Sequence, residues 1–98
     1  PDYPRIMGFS FMEGAEKGTY KYEVYLPGGA DERGIVLYDP ETYRFIGTLV
    51  QEKNVKRGLV SKEIQKQRNI PDGIYKAVAF AKKGDRTDYL EQIIELAE

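Results

Sequence analysis

Ile74-Tyr75-Lys76-Ala77-Val78-Ala79-Phe80-Ala81-Lys82 decides the fold, because the run reads in two ways. As a strand it places Ile74, Lys76, Val78 and Phe80 on one face and Tyr75, Ala77, Ala79 and Ala81 on the other. As a helix capped by Asp72 it gathers Ile74, Ala77, Val78 and Ala81 into one stripe, with Gly84 where a helix-ending glycine belongs. Three alanines suit the helix, whereas the β-branched and aromatic residues suit the strand. Pro71-Asp72-Gly73 and Gly84-Asp85 bound the run as turns bound a strand, and the strand is the reading adopted.

Upstream, residues 6–12 alternate with Met7, Phe9 and Phe11 on one face. Thr19–Leu26 alternates more cleanly, with Tyr20, Tyr22, Val24 and Leu26 opposite Thr19, Lys21, Glu23 and Tyr25. The glycine-containing connection between them predicts a hairpin. Residues 27–34, with three glycines, a proline and three charges, read as a mobile surface loop. A short strand at 35–39, a type I turn at Asp39-Pro40-Glu41-Thr42 and a fourth strand at 43–50 complete an antiparallel meander. The second half of that fourth strand is apolar on both faces, which predicts a central strand.

Downstream, residues 51–58 read as a basic linker. Ser61 is an N-cap for a short helix over 62–69 that Pro71 stops. Thr87 caps a second helix over 88–98, whose Tyr89, Leu90, Ile93, Ile94 and Ala97 fall at helical spacing and would lie on the sheet. The expected fold is α+β: an antiparallel β-meander of four to five strands with two helices packed on one face. It forms one domain over residues 1–98, strand-rich at 6–50 and helix-containing at 59–98.

The 98 residues contain neither cysteine nor histidine. Disulfides, thiolate chemistry, Ser-His and Cys-His nucleophile systems and the usual zinc sites are therefore closed to this chain. No metal or cofactor is expected, and no enzymatic activity. The weak catalytic candidates are an N-terminal Pro1 amine and the carboxylate pairs Asp31/Glu32 and Asp39/Glu41. Pro27-Gly28-Gly29 lacks the context of a phosphate loop. No apolar run reaches the roughly 20 residues of a membrane span. The reading is an intracellular, soluble protein, although a start without Met leaves room for a removed targeting peptide.

Charge is laid out unevenly. Residues 51–86 carry a net +6, residues 1–50 carry −3 and residues 87–98 carry −4. Lys53, Lys56, Arg57, Lys62, Lys66, Arg68, Lys82, Lys83 and Arg86 are candidate phosphate contacts for a nucleic acid. Within this segment Ser61-Lys62-Glu63-Ile64, Ile70-Pro71 and Ile74-Tyr75-Lys76-Ala77-Val78 resemble the helix-turn-helix run of bacterial winged-helix regulators, over about a quarter of the chain. The run departs from that pattern at Gln65, at Arg68 and in the interval after the proline. The resemblance implies a recognition helix opening at Tyr75 and Lys76.

Eight tyrosines point elsewhere, since residues that bury a ring and keep a hydroxyl wet are favoured at protein interfaces. The leading expectation is a non-catalytic binding module or accessory subunit acting by protein–protein contact, through Lys21, Tyr25, Asp31, Glu32 and Arg33. Nucleic-acid binding through the basic segment is the alternative.

Overall fold

The computed structural model describes residues 4–97. It contains seven strands: β1 (Gly8–Glu13), β2 (Thr19–Leu26), β3 (Ala30–Tyr38), β4 (Phe45–Val55), β5 (Gly58–Gln65), β6 (Gly73–Lys83) and β7 (Arg86–Leu96). They form two antiparallel sheets, β1-β2-β5 and β4-β3-β6-β7. The order is that of an immunoglobulin-like Greek-key sandwich, a description of architecture that carries no function. The described residues are all-β, so the expected α+β class and both expected helices are corrected. The strand reading of 74–82 holds, since these residues lie within β6.

The hairpin of β1 and β2 also holds, with Phe9 opposite Val24 and Phe11 opposite Tyr22. The hairpin of β3 and β4 across the 39–42 turn holds as well, but β2 and β3 do not pair, so the meander is broken between the two hairpins. On its other side β2 pairs with β5, while β3 lies in the second sheet between β4 and β6. The expected loop at 27–34 shrinks to its first three residues, because β3 begins at Ala30. Gly29, at φ +69, has the peptide carbonyl of Val55 2.7 Å from where a Cβ would stand, so glycine is needed for this close approach.

β4 is an edge strand, not the expected central one. Its register against β3 slips twice, once between Ile35 and Val36 and once between Leu37 and Tyr38. The first slip leaves Leu49 without an opposite residue, so Leu49 and Val50 are both buried although adjacent. A bulge therefore produces the two-sided apolar pattern that coverage of both faces was expected to explain. The supposed linker at 51–58 is mostly the second half of β4.

The segment expected to form the first helix is β5, where Val60, Lys62 and Ile64 oppose Val24, Tyr22 and Tyr20. By strand parity Lys62 falls on the core-facing side, at the open margin of the sandwich with its side chain about half exposed, and it breaks the apolar alternation that marks a strand. An inward charge on an edge strand also discourages pairing with another chain. The helix-turn-helix reading of residues 61–84 is overturned, since they form β5, a crossover and β6.

The second expected helix is β7, paired with β6 along its whole length from Lys83–Arg86 to Gly73–Leu96. The two-residue connection Gly84-Asp85, with Gly84 at φ +60, is the turn chemistry that folds a hairpin back on itself.

Between the sheets lie Tyr20, Tyr22, Val24 and Leu26 from β2, Ile35 and Leu37 from β3, and Ile94 and Leu96 from β7. β6 contributes Tyr75, Ala77, Ala79 and Ala81. Ala77, Ala79 and Ala81 stand opposite Leu37, Ile35 and Arg33, so small residues make room for large ones on the neighbouring strand. The hydroxyl of Tyr75, near the start of β6, donates to the Pro71 carbonyl. This tie back across the crossover from β5 is the tyrosine corner of such sandwiches.

Candidate contact surface

Strand parity sends the other face of each strand outward. Cross-strand register on the outside of the β4-β3-β6-β7 sheet then builds three rows. Phe45, Tyr38, Lys76 and Ile93 form the first, Thr48, Val36, Val78 and Glu91 the second, and Gln51, Gly34, Phe80 and Tyr89 the third. Phe45, Tyr89 and Ile93 are 55–60% exposed, as is Ile74 just beyond the first row, and Tyr43 at 64% stands over the Lys76 ammonium. Val36, Tyr38, Val78 and Phe80 are half-buried between them. A Cβ on Gly34 would meet the Phe80 ring at 2.6 Å, so the ring lies across the bare glycine and smooths the sheet.

The only charges inside these rows are paired with each other, Lys76 Nζ lying 3.2 Å from Glu91. The three rows form an aromatic-rich strip, bounded on the same face by the charged row Lys53, Glu32, Lys82 and Thr87 at one end and by Ile74 and Glu95 at the other.

The outside of the β1-β2-β5 sheet is different. Ser10, Glu23 and Ser61 share one row, and Met12, Lys21 and Glu63 share the next. Tyr25 and Leu59 sit together at one end of it, both exposed, beside a shallow recess of about 200 Å³. Lys21 lies 4.0 Å from Glu23.

The residues expected to form one partner surface are therefore divided. Lys21 and Tyr25 are on this polar face, whereas Asp31, Glu32 and Arg33 belong to β3 in the other sheet. Asp31 accepts the Gly84 N–H at 2.8 Å and Glu32 accepts the Gln51 amide at 2.6 Å. Arg33 is 1% exposed and reaches no surface.

Arg33 instead bridges the sandwich. Its Nη2 donates to Glu52 Oε1 at 2.8 Å and to the Tyr22 hydroxyl at 3.1 Å, and its guanidinium stands 5.4 Å from the Tyr22 ring centre. Lys62 of the opposite sheet donates to both oxygens of Glu52, at 3.0 and 3.2 Å. Burial pushes the Glu52 carboxyl up, but Lys62 and Arg33 outweigh it and hold the group below the usual carboxylate range. Asp39 is also lowered, by the N–H groups of Thr42 and Glu41 that donate to Oδ1 in the β3–β4 turn.

The basic residues do not form one track. Lys53, Lys56 and Arg57 lie at the far end of β4 and the crossover to β5, while Lys82, Lys83 and Arg86 lie at the β6–β7 hairpin. The β2–β3 connection joins these two groups: Lys83 donates to the Gly28 carbonyl, and Gly29 abuts the backbone of residues 55–57. Lys53 and Lys82 both stand opposite Glu32, which answers part of their charge. Lys62 is turned toward Glu52, and Lys66 is 3.1 Å from Asp72. Arg68 is exposed beyond β5. Pro1 lies outside the described residues. Asp39 and Glu41 share a turn but hold no common cavity among those described.

No group of three or more metal-ligating side chains occurs among the described residues. They also include no helix long and apolar enough to cross a membrane.

No family model matches this chain. It is 35% identical over 97 residues to the Minor extracellular protease Vpr of Bacillus subtilis (strain 168), a match that covers 94% of this chain. The chain spans 12% of the length of that curated relative.

Proposed function

We propose that this chain is a non-catalytic β-sandwich module of a longer extracellular polypeptide, and that it works by protein–protein contact through the outer face of the β4-β3-β6-β7 sheet. The observation that carries the reading is the concentration of Tyr43, Phe45, Ile74, Tyr89 and Ile93, all more than half exposed, on that one face. Likeness to a small part of an extracellular protease supports a modular, secreted setting in place of the intracellular one expected from composition. Proteolysis by a Ser-His system would have to reside outside these 98 residues, which lack histidine.

Substitution tests the reading. Phe45→Gln with Ile93→Thr removes two half-exposed apolar side chains without setting a charge opposite Lys76, so the isolated chain loses little stability, chiefly the edge contact of Phe45 with Tyr38. In the longer polypeptide the same pair lowers the unfolding temperature, while Lys21→Ala with Tyr25→Ala on the other sheet leaves it unchanged. Equal unfolding temperatures for all forms of the longer polypeptide would sink the proposal.

A further inference from the structure

Independently of the contact face, positive charge is concentrated at one end of the sandwich. Ala30 opposite Val55, Glu32 opposite Lys82 and the Lys83–Arg86 pair set the β4–β5 crossover, the start of β3 and the β6–β7 hairpin side by side. Lys53, Lys56 and Arg57 come from the first of these regions, and Lys82, Lys83 and Arg86 from the last. The segment leading into β1 adds Arg5. There the Ile6 N–H donates to Asp88 Oδ2 at 2.8 Å, and Pro4, Arg5, Arg86 and Thr87 line a recess of about 490 Å³ with Asp88.

Four carboxylates share this end: Asp31, Glu32, Asp85 and Asp88. Seven basic side chains against four acidic ones leave it at +3, while the other eight basic and twelve acidic residues of the chain come to −4. Three of the four acids are already engaged, Asp31 by the Gly84 N–H, Glu32 by the Gln51 amide and Asp88 by the Ile6 N–H. Arg5, Lys53, Lys56, Arg57 and Lys82 are all exposed. Among the described residues no carboxylate lies within ion-pair distance of these five.

The spread of the cations sets the kind of ligand. Lys53 and Lys82 stand two strands apart, about 10 Å, and the others carry the charge around the hairpin to Arg5. A single small anion reaches one or two of them, whereas a polymer with a charge on every unit meets several at once. Each phosphate neutralised also releases a condensed counterion, which supplies affinity that a net +3 in water would not. Such an atmosphere needs dense charge, about one per 3.4 Å along a nucleic-acid strand, and a peptide whose acids are diluted by neutral residues lacks it. None of the seven basic residues, nor the Gly28-Gly29 and Gly84-Asp85 turns between them, offers a ring on which a base could stack.

We infer that this end of the sandwich binds phosphate-bearing polymers through their backbone charge, without reading a base.

The test is to titrate the 98-residue chain against a labelled oligodeoxythymidylate at two salt concentrations. Three phosphates neutralised on a single strand give a slope of about −2 in log K against log salt, a loss of about 16-fold between 50 and 200 mM. This measurement needs no variant. Lys56→Gln with Lys82→Gln is expected to weaken binding about tenfold or more at 50 mM salt and to flatten the slope by about 1.4. Lys17→Gln with Arg68→Gln removes as much charge beyond the far ends of β2 and β5, roughly 24 Å away, and is expected to change neither. Inorganic polyphosphate, which has neither base nor sugar, is expected to displace the oligonucleotide, and a peptide of alternating Asp and Gly is not. No binding at 50 mM salt, or equal losses in the two double variants, would overturn the inference. Displacement by the peptide as effective as that by polyphosphate assigns the end to acidic peptides, and an oligonucleotide that polyphosphate cannot displace assigns it to bases; either overturns it as well.

Discussion

Arg33 Nη2 lies 2.8 Å from Glu52 Oε1, joining a fully buried guanidinium to a carboxylate at the margin of the sandwich. Arg33 Nε and Nη1 are buried without a protein partner, so Glu52 and Tyr22 carry all its hydrogen bonding to protein. The desolvation cost of such a charge is large, and the two single deletions are not equivalent. Glu52→Gln leaves the buried guanidinium uncompensated and is expected to cost about 3 kcal/mol. Arg33→Met removes the buried charge itself and leaves Glu52 with Lys62, so the loss is smaller. Urea denaturation of both variants checks the order.

Acid should reveal the same carboxylate. Glu52 and Asp39 both titrate below their ordinary values in the folded protein. Their contribution to stability is complete above the unfolded-state pKa values and disappears as pH falls through the lowered ones. Thermal unfolding between pH 6 and pH 2 is expected to show a falling stability whose slope is reduced in Glu52→Gln and in Asp39→Asn.

Gly34 is required by packing and not by its backbone angles. A Cβ there would stand 2.2 Å from the Val50 carbonyl oxygen as well as against Phe80. Gly34→Ala is expected to destabilise by about 1–3 kcal/mol through overpacking. Gly8→Ala, with nothing within 4 Å of the new methyl, should be nearly neutral, and a paired denaturant titration separates the two.

The tyrosine corner makes a narrower prediction. Tyr75→Phe keeps the buried ring and removes one hydrogen bond to the Pro71 carbonyl, a loss of about 1 kcal/mol. Tyr25→Phe, for which no hydroxyl partner is observed at its exposed site, should change stability much less. Equal effects in the two variants would contradict the structural role given to Tyr75.

The sequence discloses strands where alternation is clean and hides them where another force takes over. β2 is legible because every second residue is buried and apolar. β5 is hidden because its inward Lys62 is satisfied by Glu52, a residue of the other sheet that local pattern cannot supply. β7 is hidden because both its faces carry apolar residues: Ile94 and Leu96 face the core while Tyr89 and Ile93 face out. That mixture imitates a helical stripe, and Gly84-Asp85 was the local cue that could have corrected it. The candidate surface is hidden for the same reason, since helical spacing places Tyr89 and Ile93 on the side that packs against the sheet. The share supplied by β6 is legible, as the Ile74, Lys76, Val78 and Phe80 face of residues 74–82.

The most direct test of the central claim is side-chain labelling of the longer polypeptide with a photogenerated carbene, read residue by residue and compared with the isolated chain. Protection of Tyr43, Phe45, Tyr89 and Ile93, with Tyr25 and Leu59 on the other sheet labelled equally in both samples, is the predicted result. Equal labelling of the β4-β3-β6-β7 face in both samples would contradict the claim that this face meets a protein surface.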